Sequence, residues 1–308
     1  MRQVASRLLA LTAWTLSGCF LSHAPDRDPT VSDAGTDANR PDAARCDRGA
    51  PCDCRAVRAL PAGTHWVGVA PDRVFFNPYL SPAHRVVLTR TVWVGTTEAT
   101  AGCYQGCIES GACTEPELVP RLSEAPRWTF GERYWENPRW SDHPIAGLTS
   151  EQAREYCAWL GGRLPTSAEW EKLARGEDGR AVPWAARPPD PTSPPAPTDL
   201  EEHAYKPDGP AGSMEPMLLP VNSLPQGVGP YGHFHLIGNA TEWVADSAAT
   251  YSAGDQVDPL DDVPGADRVI RSNFEPAWAR RTLEIFPVRQ VPIGVRCAFD
   301  VEPEAMPR

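Results

Sequence analysis

Apolar residues recur with helical spacing in two short stretches near the middle of the chain. In the second stretch, Thr166 and Glu169 form a T-x-x-E capping box, which marks the start of a helix, and Gly176 marks its end. The apolar positions between them fall on one helix face: Trp170, Leu173 and Ala174. The pattern predicts an amphipathic helix over about 166–176.

The first stretch lies directly before it and has the same design. Thr149 and Gln152 form another capping box, and Gly161 follows the last apolar position. The apolar residues are again three or four apart: Ala153, Tyr156 or Cys157, and Leu160. The two stretches therefore predict a helix, a tight turn and a second helix, an arrangement found in the cores of many proteins.

Residues 60–100 show a different pattern, in which short apolar runs alternate with turns. Three runs are predicted as strands: His65–Gly68, Val86–Leu88 and Thr91–Val94. The chain of 308 residues also contains 34 prolines, 24 glycines and 11 tryptophans, which indicates a loop-rich fold rather than a helical bundle or a doubly wound sheet. Its net charge of −11 argues against a nucleic-acid partner.

The amino terminus has the features of a lipoprotein export signal. Arg2 and Arg7 precede a short apolar run, Leu8–Leu16, and small residues then lead to Cys19. Cleavage before Cys19 would leave its thiol for attachment of a lipid. The alternative is an ordinary secretory signal with an incidental cysteine, and both predict an exported protein, in the periplasm or at the cell surface.

The rest of the chain is divided by composition. Residues 20–45 contain almost no large apolar side chains, so they cannot offset the entropy cost of ordering. We predict a signal peptide at 1–18, a lipidated and mostly disordered tether with a cysteine cluster at 19–57, one domain at 58–301 and a tail at 302–308.

Five segments in order resemble the sulfatase-modifying-factor family, which is typified by the formylglycine-generating enzyme. They are Leu60–Gly68, Thr89–Cys113, Thr149–Gly176, Tyr231–Asp246 and Val269–Asp300, and the third contains R-L-P-T-S-A-E-W-E. The resemblance implies a complex α+β fold of the C-type-lectin-like kind. It implies short antiparallel sheets, two main helices and little other regular structure.

The chain has nine cysteines, and an even number remains once Cys19 is set aside. The resemblance implies a bridge between Cys157 and Cys297, and Cys107 with Cys113 looks like a second. Three connectivities stay open for the others: Cys46, Cys52, Cys54 and Cys103. A zinc site in the first three of these is the alternative, although they lack C-x2-C spacing.

Relatives hold a calcium ion in a G-N-x-x-E-W loop. The resemblance places its carbonyl ligands at Gly238 and Ala240 and its carboxylate at Glu242. The remaining side-chain ligand falls on His235, and imidazole is a poor ligand for a hard cation. Calcium binding therefore stays possible, as does a structural role in which Glu242 accepts from backbone donors of its own loop.

Active relatives also use two cysteines that bind copper, just after an R-G-G-S-W turn. Here the turn begins at Arg271, its glycines are replaced by Ser272 and Asn273, and no cysteine lies between Cys157 and Cys297. Soft thiolates suit Cu(I), so we expect no copper and predict no catalytic residue.

These departures predict a membrane-anchored, non-catalytic module that binds a protein or glycan ligand. The candidate ligand surface is the loop with several arginines and aromatics: Arg271, Phe274, Trp278, Arg280 and Arg281. An ordinary solvated face is the alternative for this loop. The alternative functions are an oxidoreductase acting on a protein cysteine through an unrecognised site, and a structural lipoprotein of an envelope complex.

The lipid anchor gives a direct test. Mass spectrometry of the mature amino terminus should find a diacylglyceryl group on Cys19. A mature chain that starts further along, or one with an unmodified Cys19, would contradict the prediction.

Overall fold

The computed structural model describes residues 53–70, 81–117, 133–185, 203–204, 218–272, 282–283 and 292–303. Within these residues, short strands form three small sheets and three α-helices pack against them. The helices are α1 Ala101–Glu109, α2 Ser150–Trp159 and α3 Ser167–Arg175. The strands are β1 Val57–Leu60, β2 Gly63–Val67, β3 His84–Leu88, β4 Val92–Gly95, β5 Thr241–Ser247, β6 Gln256–Val257, β7 Arg268–Arg271, β8 Thr282–Leu283, β9 Ile293–Val295 and β10 Ala298–Phe299.

The sheets have the orders β1-β4-β10, β2-β3-β6 and β8-β7-β5-β9. Most strand pairs are antiparallel, as predicted, but β3 pairs with β6 and β5 with β9 in parallel. β9 reaches the free edge of β5 only after the chain has passed through β7 and β8 on the other edge. The pattern within one strand does not reveal such a crossover.

Both predicted helices begin at the predicted capping boxes. Thr149 Oγ1 accepts from Gln152 N at 3.2 Å, and Gln152 Oε1 accepts from Thr149 N at 3.1 Å. The corresponding distances in α3 are 3.1 Å, from Glu169 N to Thr166 Oγ1, and 2.8 Å, from Thr166 N to Glu169 Oε2. Each box satisfies two backbone donors that a helix start otherwise leaves without partners.

The helix α1 was not predicted, because glycines interrupt its apolar pattern. Thr100 caps it by accepting from Cys103 N at 3.2 Å. A Cβ at Gly102 would lie 3.0 Å from the backbone oxygen of Ser141, so this glycine permits a close approach to the neighbouring turn. The sequence therefore has a glycine here for packing, at a cost in helix propensity.

The helix α3 lies deeper in the protein than its amphipathic pattern suggested. Its predicted apolar face belongs to one of the two main hydrophobic clusters, together with side chains of β1, β3, β4 and β5. All nine residues of α3 are buried, including Glu171, Lys172 and Arg175. The polar face of this helix must therefore be satisfied inside the protein.

Three disulfides lie within the described residues: Cys54–Cys103, Cys107–Cys113 and Cys157–Cys297. The last two are the predicted pairs. The first removes Cys54 from the alternative zinc cluster and attaches the segment before β1 to α1. The folded domain thus begins before residue 58, and the predicted boundary falls inside β1.

The predicted signal segment and three of the cysteines lie outside the described residues. These are the signal segment 1–18, Cys19, Cys46 and Cys52. In the part of the chain that is described, no helix has the length and apolar character needed to cross a bilayer.

The Cys157–Cys297 bridge should contribute more stability than any short-range one. It joins residues 140 apart in sequence, and the chain-entropy model assigns such a loop about 5 kcal/mol. The variant Cys297→Ser should expose one free thiol at Cys157 and lower the melting temperature, as measured by thiol titration and calorimetry.

The matched control is Cys113→Ser, which opens the bridge whose partners are 6 residues apart. The same model assigns that loop about 2 kcal/mol, so its effect should be clearly smaller. Equal losses in the two variants would contradict the prediction.

Candidate functional site

The loop that resembles the calcium-binding element leads directly into β5. Three of its residues, His235, Gly238 and Asn239, have positive φ angles of 53°, 76° and 54°. Two of the three are not glycines, so the surrounding contacts must hold the backbone in this conformation. The loop is therefore tightly built, and its side chains have defined partners.

Glu242 forms a fully buried ion pair with Arg296. Arg296 Nη2 donates to Glu242 Oε1 at 2.8 Å, and its Nε lies 3.0 Å from Oε2. Trp170 Nε1 also donates to Oε2, at 2.7 Å. The carboxylate thus accepts from other parts of the domain, and not from donors of its own loop as one interpretation had it.

Gly238 and His235, two other residues of this loop, also have hydrogen-bond partners within the protein. Gly238 O accepts from Ser272 Oγ at 3.0 Å, and His235 Nε2 donates to Ser223 O at 2.8 Å. A calcium ion bound by Glu242 would have to displace a guanidinium group. Both carboxylate oxygens of Glu242 already accept hydrogen bonds, from Arg296 and Trp170, so this arrangement does not present Glu242 to a calcium ion. Calcium binding through Gly238, Ala240 and Glu242 stays a prediction.

Glu98 is the second acid of this network, and sequence reasoning missed it. Its Oε1 accepts from Asn239 Nδ2 at 2.9 Å, and Oε1 lies 3.6 Å from His235 Nδ1. Its Oε2 has no hydrogen-bond partner among the described residues. Burial raises the pKa of Glu98 to about 8, and the nearby Arg296 offsets this only in part.

Arg271 was predicted to belong to an exposed ligand surface, and this prediction was wrong. Its side chain is buried at the end of β7, where it donates to Tyr251 Oη at 2.9 Å and to Ser167 Oγ. Its Nη2 also lies 3.3 Å from Glu171 Oε2. Arg271 is drawn inward because Glu171 is an acid with no exposure to water. The remaining members of that surface lie outside the described residues: Phe274, Trp278, Arg280 and Arg281.

Ser272 follows Arg271 at a position where the resemblance implies a glycine. It keeps a left-handed backbone, with φ of 71°. Its Oγ lies 3.0 Å from Gly238 O and 3.2 Å from His235 O, so its one proton is shared between two carbonyls. These hydrogen bonds join Ser272 to the loop before β5 and offset the strain of its left-handed backbone.

Each cysteine in the described residues is part of a disulfide. Cys103, whose pairing the sequence left open, is bonded to Cys54. Within the same residues, no group of three or more His, Cys, Asp and Glu side chains is placed to hold a metal ion.

The family comparison agrees with this fold. A model of the sulfatase-modifying factor enzyme 1-like domain matches residues 47–300. The structure of PvdO from Pseudomonas aeruginosa superimposes with a TM-score of 0.54 at 22% identity, covering 78% of this chain and 92% of that one.

One similar protein is named as an inactive enzyme, and another is named as the formylglycine-generating enzyme. The inactive C-alpha-formylglycine-generating enzyme 2 of Bos taurus is 35% identical over 116 residues, which are 37% of this chain and 36% of that protein. The formylglycine-generating enzyme of Thermomonospora curvata is 32% identical over 179 residues, which are 51% and 55% of the two chains. The chain thus spans about half the length of these relatives or less.

The buried network predicts how stability depends on pH. Burial lowers the pKa of His233 to about 3 and that of His235 to about 4. Unfolded histidines take up protons near pH 6.5, so these two destabilise the fold as the pH falls from about 6.5 to 4. Glu98 has the opposite sign: its raised pKa means that stability decreases as the pH rises from about 4.5 to 8.

Between pH 6.5 and 8, Glu98 is therefore the group of this network that titrates. The free energy of unfolding should decrease there by at most about 1.4 kcal/mol per pH unit. In Glu98→Gln this decrease should be absent, because glutamine resembles the protonated acid. Urea unfolding at several pH values measures it, and Glu151→Gln, at an exposed carboxylate, should keep the original slope. If Glu98→Gln also keeps it, the assignment to Glu98 is wrong.

Proposed function

Because the chain belongs to the family of sulfatase-modifying factor enzyme 1-like domains, we propose that it is a non-catalytic member that acts by binding. In this proposal the domain is exported, anchored to a membrane through a lipid on Cys19, and presents its fold to a protein or glycan ligand. The signal-like residues 1–18 and the polar tether after Cys19 support the location.

The cysteine content carries the proposal. The resemblance places the two copper-binding thiolates of active relatives between Cys157 and Cys297, where this chain has no cysteine. Cys157 and Cys297 are bonded to each other, and a disulfide supplies no thiolate. Carboxylates and guanidinium groups cannot replace two thiolates for Cu(I).

The geometry around the changed turn supports the same conclusion. Arg271 and Ser272 hold the turn against α3 and the loop before β5. Glu242 and Arg296 neutralise each other without contact with water. Polar groups that are satisfied within the fold stabilise it, and they are not free to bind or activate a substrate.

The names of the relatives do not decide between the alternatives. A protein named inactive and a protein named as the generating enzyme match at 35% and 32% identity. Function depends on sites rather than on folds, so the missing thiolates count for more than the overall similarity.

The test is direct. The full chain is incubated aerobically with a sulfatase-type cysteine peptide, with and without added copper, beside an active formylglycine-generating enzyme as the positive control. We expect the peptide mass to stay unchanged with this chain, because no thiolate pair can hold copper beside the substrate thiol. Chelator competition should likewise find no tight Cu(I) site.

Loss of sulfur from the peptide, at a rate above that of the copper-only blank, would overturn the non-catalytic proposal. It would favour an oxidoreductase acting through an unrecognised site.

A further inference from the structure

A second polar region lies at the other end of α3, away from Trp170 and Glu242. The helix ends at Gly176, where the backbone turns with φ of 64°. Beyond it opens a cavity of about 490 Å³. It is lined by Gly176, Glu177, Asp178, Arg180, Pro230 and Tyr231. This volume lies within the range of about 300–1,000 Å³ that is usual for small-ligand sites.

The positively charged side chains beside this cavity already have hydrogen-bond partners within the protein. Arg180 forms a bidentate salt bridge with Asp178, in which Nε donates to Oδ1 at 3.0 Å and Nη2 donates to Oδ2 at 2.8 Å. Its Nη1 donates to Pro183 O at 3.2 Å. The buried Lys172 donates from Nζ to Pro61 O at 2.6 Å. No positive group of the lining is left to attract an anion.

Two groups of the cavity face the solvent at least in part. The side chain of Glu177 forms an ion pair with Lys172 Nζ at 3.6 Å and is nevertheless 58% exposed, whereas Lys172 is fully buried. The hydroxyl of Tyr231 makes no hydrogen bond within the described residues, and its ring is half-buried. Burial raises the pKa of Tyr231, and the negative charges of Glu177 and Asp178 raise it further. The nearby Arg180 offsets this in part.

This combination selects a positively charged ligand. An exposed carboxylate can form strong, charge-assisted hydrogen bonds with ammonium and guanidinium groups. The face of a tyrosine attracts the same cations, and the apolar surfaces of Tyr231 and Pro230 suit an aliphatic stem. The net charge of −11 on the whole chain also favours the approach of a basic partner.

We propose that the cavity beyond α3 binds the charged end of a lysine or arginine side chain of a polypeptide partner. Glu177 pairs with the cation, Tyr231 provides a hydroxyl and a ring face, and the Asp178–Arg180 pair holds the wall rigid. The inference rests on the proposed binding function, for which it supplies a site and a class of ligand.

The experiment uses the full chain and simple probes. Nα-acetyl-lysine-N-methylamide is titrated by NMR at low salt, beside the same compound acetylated on its Nε atom. We expect millimolar binding of the charged probe, no binding of the acetylated one, and weakening of the complex by added salt because this site is open to solvent. n-Butylammonium is the third probe, and weaker binding of it than of the lysine compound supports a polypeptide source.

Variants assign the binding to the cavity. Glu177→Gln should weaken binding of the charged probe about tenfold, the loss of one charge-assisted contact of about 1.4 kcal/mol. Tyr231→Phe should have a smaller effect than Tyr231→Ala, because it keeps the ring. Glu151→Gln removes the same charge from the exposed side of α2 and should leave binding unchanged.

Equal binding by Glu177→Gln and the original chain would overturn the proposal, as would equal binding of the two lysine compounds. No binding of the charged probe, or stronger binding of n-butylammonium than of the lysine compound, would also overturn it. Melting curves confirm that each variant is folded. The peptide-oxidation assay is independent of these titrations, so failure of this site and failure of the proposed function can be told apart.

Discussion

The fold depends on a charge pair that has no contact with water, Glu242 with Arg296. The desolvation cost of such a pair is offset only when the remaining donors and acceptors find partners. Here Arg296 also donates to Gly95 O and Phe234 O, both at 2.8 Å, and Trp170 donates to the carboxylate. One guanidinium thus joins β4, the loop before β5 and the segment after β9. Removing either charge would leave the other buried without compensation.

A second buried acid, Glu171, joins α3 to other parts of the domain in the same way. Glu171 accepts from Gly68 N at 2.8 Å, from Arg175 Nη1 at 2.9 Å and from Tyr251 Oη at 3.1 Å. It also attracts Arg271 from the end of β7. The polar face of α3 is therefore an internal surface, and the helix serves as the centre of the domain. The requirement to neutralise Glu171 explains why an arginine next to a predicted ligand loop lies inside the protein.

Much of this arrangement follows from local chemistry, and the rest does not. Capping boxes at Thr149 and Thr166 are satisfied within four residues, so the sequence alone locates α2 and α3. The burial of Arg271 beside Glu171, and the burial that raises the pKa of Glu98 beside Asn239, bring together residues 100 or more apart along the chain. The resemblance supplied the pairing of Cys157 with Cys297, which spacing alone leaves open. It did not indicate that Ser272 would keep a left-handed backbone by donating to carbonyls of another loop.

The two ends of α3 differ in what their polar groups do. At the end that faces Glu242, the charge pairs Glu242–Arg296 and Glu171–Arg271 are buried. At the other end, Glu177 keeps an exposed carboxylate and Tyr231 a hydroxyl without a partner in the described residues. The charge pairs that stabilise this domain do not involve cysteine thiolates, so the fold does not depend on the copper-binding pair whose absence the proposal rests on. The proposed binding site follows from this difference, because in the cavity beyond Gly176 an exposed carboxylate and a tyrosine ring lie together.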